Sequence, residues 1–276
     1  TLMRSSAASD VYKRQLIYYS VSARQHKPTE SGYIAQKTQG IDSDYVLIFN
    51  SYSESAPWCR SLVDSTVMDL IKLSPQTMTV TQNLNSGLLR DEKALAQLRQ
   101  QVDVSYHDKP RMIIYIGSTS WPFLHETIEK KWGKVPSIIF SDIDYTGPIA
   151  NLLRKTPIAP ALRIPYDKIV KEYEGALSVV YMPIYLRQSL ALMHQLTPPM
   201  TELCFISDTR WISAQMRADM AAITKTDFPE LKVRYLISAD MSTLDLLDSL
   251  QHYGQETGVL FFSLLCLSQE LSLIHI

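Results

Sequence analysis

Four short runs of consecutive apolar residues each end in a cluster of small polar side chains. Tyr45-Val-Leu-Ile-Phe49 runs into Asn50-Ser51-Tyr52-Ser53, and Met112-Ile-Ile-Tyr-Ile116 into Gly117-Ser118-Thr119-Ser120. Ser137-Ile-Ile-Phe140 runs into Ser141-Asp142-Ile143-Asp144, and Leu203-Cys-Phe-Ile206 into Ser207-Asp208-Thr209. A strand with no polar alternate residue has no face to give to water, so each run predicts a strand covered on both sides. Between the runs the apolar spacing changes from continuous to helical. Val63, Val67, Leu70 and Ile71 share one face of a helix over 58–73, and Leu95, Leu98 and Val102 one side of a helix over 91–102. Buried strands alternating with amphipathic helices specify an α/β fold: parallel sheets with helices on both faces.

The same alternation continues along the chain. A weaker strand is expected at 78–80, a helix from Pro122 to Trp132 with its proline in the first turn, and a strand at 177–181. Helices over 184–196, 213–224 and 243–252 then alternate with strands at 233–237 and 258–262. Residues 147–176 break the period and hold Pro148, Pro157, Pro160 and Pro165, which reads as a boundary or an insertion. The expected division is therefore a first lobe over 45–176 and a second over 177–265, with no sequence repeat between them.

The 27 Lys+Arg residues against 28 Asp+Glu leave no basic excess, and no basic run is present to track a phosphate backbone, so nucleic acid is not an expected partner. Cys59, Cys204 and Cys266 form no C-x-x-C pair, and the six histidines lack ligand spacing, so neither a metal nor a cofactor is expected. The longest apolar run, 258–267, is about half of the ~20 residues a spanning helix needs. At the ends, residues 1–15 and the tail 266–276, finishing in LSLIHI, resemble translated sequencing-adapter tails and are set apart from fold reasoning. Leu16 to Ala23 closes on Val21-Ser22-Ala23, the small-x-small form of a signal-peptidase site. Residues 16–44 are thus expected to be a signal-peptide remnant and a linker, which puts the protein in the periplasm or otherwise outside the cytoplasm.

In an open parallel sheet the crevice beyond the carboxyl ends of the strands collects polar groups and takes the ligand. Those ends carry Ser51, Tyr52 and Trp58; Ser118 and Thr119; Asp142; and Asp208 with Trp211. Indoles there can stack on a ligand and hydroxyls can orient it. Ser, Thr and Asp are equally the favoured helix N-caps, so each one singly also reads as a cap. Asp142-Ile-Asp144-Tyr-Thr146 matches the D-x-D-x-T start of haloacid-dehalogenase-like phosphatases, whose chemistry needs two carboxylates beside Mg²⁺. It departs from that pattern in having Tyr145 before the threonine, in lying mid-chain, and in placing the later Asp245 and Asp248 on a helix. Gly-x-Ser-x-Gly, Gly-x-Gly-x-x-Gly and P-loop signatures are absent, which favours binding over catalysis.

The segments VLIFNSYSESAPW (46–58), IIYIGSTS (113–120), PSIIFSDID (136–144) and LCFISDTRWIS (203–213) resemble the strand-loop signatures of type I periplasmic binding proteins. The likeness is to the group of ABC-transporter substrate-binding proteins whose domain also serves as the sensor of bacterial histidine kinases. It extends over about residues 45–263, and Leu177 to Pro198 is similar to that family's crossover between lobes. The resemblance implies a two-lobed fold whose second lobe is incomplete, no enzymatic activity, and a cleft built from Ser51, Tyr52, Trp58, Ser118, Thr119, Asp142, Asp208 and Trp211. The implied ligand is a sugar, an amino acid or an aromatic solute, and the implied partner a membrane-anchored kinase or, for a transport receptor, a permease. The long proline-rich segment departs from the family and leaves the cleft wall beyond Asp144 open.

Overall fold

Strand β1 (Tyr45–Asn50) is buried along its whole length, and its alternate residues enter different cores. Tyr45, Leu47 and Phe49 join the main cluster, while Val46 and Ile48 pack with Cys59, Ile114 and Ile116 beneath α1 (Pro57–Leu73). This is the two-sided burial that an unbroken apolar run requires. The computed structural model describes residues 45–53, 56–196 and 199–263; the expected artefact ends and the signal-peptide remnant lie outside them.

Five parallel strands form the first sheet in the order β2-β1-β3-β4-β7. They are β1, β2 (Met78–Asn83), β3 (Met112–Ile116), β4 (Ser137–Ser141) and β7 (Leu177–Tyr181). Helices α2 (Glu92–Ser105) and α3 (Ser120–Trp132) pack against one another, and Leu95, Leu98, Phe123 and Leu124 enter the main cluster. Asp91 caps α2 by accepting the N–H of Ala94 at 2.8 Å. A second, three-stranded parallel sheet has the order β10-β8-β9, with β8 (Glu202–Ser207) central between β9 (Lys232–Ile237) and β10 (Thr257–Phe261). Helix α6 (Leu186–Leu196) leads into it. Helix α7 (Trp211–Asp227) packs into the main cluster through Trp211, Ile212, Met216 and Met220, whereas Leu246 of α8 (Thr243–Gln251) covers Cys204 and Ile206 on the opposite face.

The expected boundary at residue 177 does not coincide with the change of sheet. Strand β7 pairs with β4 over Ser137↔Leu177 to Ser141↔Tyr181, so the chain leaves the first sheet only after Tyr181. The four prolines of 147–176 do not mark a break; they shape a packed insertion. Two-residue strands β5 (Tyr145–Thr146) and β6 (Ile164–Pro165) pair antiparallel, α4 (Ile149–Arg154) lies between them, and α5 (Tyr166–Glu172) leads back to β7. This insertion meets α7 through three polar contacts. The Trp211 indole donates to the Thr156 carbonyl at 3.1 Å, the Ile158 N–H donates to Gln215 Oε1 at 2.7 Å, and Arg163 pairs with Asp219 at 2.8 Å.

Candidate functional site

The sheet order reverses at β1: from it the chain crosses to β2 on one side and then to β3 on the other. In sheets of this kind ligands are received above the carboxyl ends of the strands at such a reversal, here β1 and β3. Ser51, Tyr52, Ser118 and Thr119 lie there and all are buried. Their hydroxyls have different duties. Ser51 Oγ accepts the N–H of Ser120 at 2.9 Å, and Thr119 Oγ1 donates to Ser86 Oγ at 2.8 Å, so both fasten loops together; Thr119 stands at the N-cap of α3 without a side-chain capping bond. Ser118 Oγ lies beside the Tyr52 phenol without closing a well-formed hydrogen bond, although the residue is only 2% exposed.

From the second sheet comes Arg210, in the loop between β8 and α7. Its guanidinium lies 4.8 Å from the centroid of the Tyr52 ring, a cation–π contact joining the strand-end loop of one sheet to that of the other. Asp208 holds that guanidinium, accepting from Nε at 2.9 Å and lying 2.7 Å from Nη2. The same carboxylate accepts the Arg210 N–H at 2.9 Å, Ser213 Oγ at 2.6 Å and Ser263 Oγ at 2.9 Å. Arg210 also donates to Ser263. Burial alone would raise the pKa of Asp208, but the Arg210 charge and these hydrogen bonds outweigh it and hold the carboxyl below its usual range.

Asp142, after β4, has the opposite environment. Among the described residues no hydrogen bond reaches its carboxylate, and burial pushes its pKa up to about 6 against the partial opposition of the Arg210 charge. The carboxylate in turn raises the Tyr52 phenol and the Cys59 thiol above their ordinary values, after burial, which is the larger cause for both. Cys59 is therefore a neutral, packed thiol and not a nucleophile. A buried, donor-poor carboxylate is destabilising when ionised, and the cost appears only where the folded and unfolded chains differ in protonation. At pH 7.5 Asp142 is ionised in both, at a cost of about 3 kcal/mol to the folded state; below about pH 3 it is protonated in both and the cost is gone. Asp142→Asn is expected to raise the unfolding free energy by about 3 kcal/mol at pH 7.5 and to leave it unchanged at pH 3, as read from urea denaturation at the two pH values.

Tyr52, Ser118, Asp142 and Asp208 are thus brought together, with Ser51 and Thr119 supporting them from behind. Trp211 is not part of that surface: it is 4% exposed, packs in the main core and spends its indole N–H on Thr156. Trp58 is the second residue of α1 and is 42% exposed. Arg210 and Cys59 were not anticipated. The signal for Arg210 was a cation two residues beyond Asp208 in a strand-end loop, a spacing that lets a carboxylate grip a guanidinium across a turn.

The phosphatase-like segment leaves Asp142 part-buried and Asp144 exposed, while Asp245 accepts the N–H of Ser242 at 2.8 Å to close the capping box of α8. Among the described residues no three His, Cys, Asp or Glu side chains gather so as to hold a metal ion, and no helix is long and apolar enough to cross a membrane. Comparison with protein-family models, with curated proteins and with solved structures gives no match.

Proposed function

We propose that the chain is the small-molecule-binding domain of a bacterial receptor of the type I periplasmic-binding-protein kind, acting outside the cytoplasm as the sensor of a histidine kinase. The observation that carries this reading is the contact of Arg210 with Tyr52, because it brings the strand-end loops of two parallel sheets to one point. A ligand entering there would meet groups from both sheets, and its differential affinity for the closed arrangement would shift the population of the receptor. The sensor role rests on the resemblance of the strand-loop segments.

The site chemistry narrows the ligand. Of the two carboxylates able to hold an amine, Asp208 is saturated by Arg210, two serines and a backbone N–H, whereas Asp142 has no donor among the described residues. An ammonium group would remove the cost of ionising Asp142, so among sugars, amino acids and aromatic solutes the favoured class bears an amine. In a thermal-shift screen with sugars, amino acids, nucleosides and phosphate esters, amino acids or other amines are expected to raise Tm in step with concentration. Asp142→Asn is expected to weaken that response at least tenfold. A response confined to sugars, or one that the Asn variant retains, overturns the assignment of the ligand class; a folded protein with no response to any class overturns the receptor reading.

A further inference from the structure

Within the insertion, residues 154–163 form a strap that holds its own shape. Lys155 ends α4 in the left-handed region at φ +56°, and Asn151 donates to Thr156 Oγ1 at 3.2 Å and to the Pro157 carbonyl at 3.0 Å. Pro157 and Pro160 fix two further φ angles. Arg163 braces the far end, donating to the Ile158 carbonyl at 3.3 Å and lying over the Tyr145 ring at 4.4 Å. A segment held by bonds of its own keeps its form when its neighbours let go.

The strap bridges the two sheets. It leaves the first sheet beyond the carboxyl end of β4 and lies, with α4, against α7, which follows the carboxyl end of β8. Ile158, at 1% exposure, is its one fully covered side chain, and most of the others are exposed. The remaining ties to α7 are polar, from the Trp211 indole to the Thr156 carbonyl, from the Ile158 N–H to Gln215 and from Arg163 to Asp219. Gln215 is itself 1% exposed and links two of these ties, because its Nε2 donates to the same Asp219 oxygen at 3.1 Å. At the foot of the strap Lys155 donates to the Gly87 carbonyl at 2.7 Å, and a Cβ on Gly87 would stand 3.9 Å from Arg210 Cγ. The strap thus begins beside the junction of Arg210 with Tyr52.

The parts of a folded protein that open first have few buried apolar contacts and hydrogen bonds close to water. The strap inserts a single apolar side chain, whereas β1 and β8 are buried along nearly their whole length, so the strap opens at lower cost than either sheet. Its polar groups, once released, are taken up by water. We propose that the strap is a latch between the two sheets. Closed, it holds α7 to the first sheet and keeps Arg210 on Tyr52. Released from α7 as a rigid piece, it lets the strand ends part and opens the way to Asp142. The latch concerns the two sheets and stands whether or not a small molecule binds between them.

The test uses the whole chain, spin-labelled at cysteines that replace exposed Gln97 of α2 and exposed Gln251 of α8. Cys266 is changed to serine, and the buried Cys59 and Cys204 stay in place. Pulsed dipolar spectroscopy reads the distance between the sheets, and the δ1 methyl signals of Ile114 in β3 and Ile206 in β8 report whether each sheet is folded. The expected result is one distance in the unaltered chain and a second, longer one in Arg163→Ala, with both methyl signals in place. Arg163→Lys, which can hold Asp219 but not the Ile158 carbonyl as well, is expected to show a smaller share of the longer distance. A folded Arg163→Ala variant that keeps the single distance overturns the proposal, as does an unaltered chain that shows both distances equally. Should Arg163→Ala not fold, subdenaturing urea on the unaltered chain decides: the longer distance must appear before either methyl signal is lost, and loss of all together overturns the latch.

Discussion

Replacing Arg210 by alanine is expected to lower the unfolding free energy by about 3 to 5 kcal/mol, as measured by urea denaturation at pH 7.5. The reason lies with the partner left behind. Asp208 is 1% exposed, and without the guanidinium its carboxylate keeps the hydrogen bonds of Ser213, Ser263 and a backbone N–H and the more distant charges of Arg217 and Lys155, but loses its paired cation. Removing one member of such a pair costs more than the pair contributes, because the remaining charge keeps its desolvation penalty. Asp208→Asn placed on top of Arg210→Ala is expected to recover a large part of the loss, since an amide needs no counter-ion. Recovery of nothing would mean that Arg210 acts mainly through its contact with Tyr52 and not through the charge pair.

The second large effect is expected at Gly117, the first residue after β3. Its φ of +86° is a backbone conformation that side chains with a Cβ rarely adopt. A Cβ there would stand 2.8 Å from Ser51 Oγ, 2.9 Å from Ser51 Cβ and 3.1 Å from the Tyr52 ring. Neither neighbour can withdraw cheaply: Ser51 is fully buried and fixed by the Ser120 N–H, and Tyr52 lies under Arg210. Backbone strain and overpacking together give an expected loss of about 3 kcal/mol for Gly117→Ala, again by urea denaturation. A loss below about 1 kcal/mol would mean that the β1 loop yields more readily than its burial implies. Because the displaced groups are Ser51 and Tyr52, the same variant is also expected to weaken any ligand that responds to Asp142.

Much of this fold is legible in the sequence for one physical reason: a strand buried on both faces leaves an unbroken apolar run, and its loop must then supply every polar group at once. β3 and β7 fall on their predicted residues, and β1, β4 and β8 extend theirs by one residue into the polar loop, β8 also gaining Glu202 at its start. Strand β2 runs three residues beyond its expected end, because Thr81-Gln82-Asn83 at a sheet edge satisfy the ladder without being apolar. Of the two readings of 147–176, the fold has the insertion: Pro148 and Pro165 sit at the starts of α4 and α5, positions where a missing N–H costs nothing. Within the site, Tyr52 and Asp142 are recoverable from position alone. The pairing of Arg210 with Tyr52 is not, since it joins loops 158 residues apart, and no local pattern encodes a contact of that range.

Every pairing in the two larger sheets is parallel, and strands up to Tyr181 pair only among themselves, as do those from Glu202 onward. A parallel pair cannot close through a hairpin; each waits for a complete crossover to be made, which makes such sheets slow to assemble. During synthesis the five-stranded sheet therefore has all its strands before any strand of the second has emerged, and it can set its own register unaided. What it cannot do early is cover the insertion at Thr156, Ile158 and Arg163, whose partners arrive only with Trp211, Gln215 and Asp219. The Thr156 carbonyl, the Ile158 N–H and the Arg163 guanidinium thus wait for their partners while some fifty further residues are translated, and that interval is when the insertion is least secured.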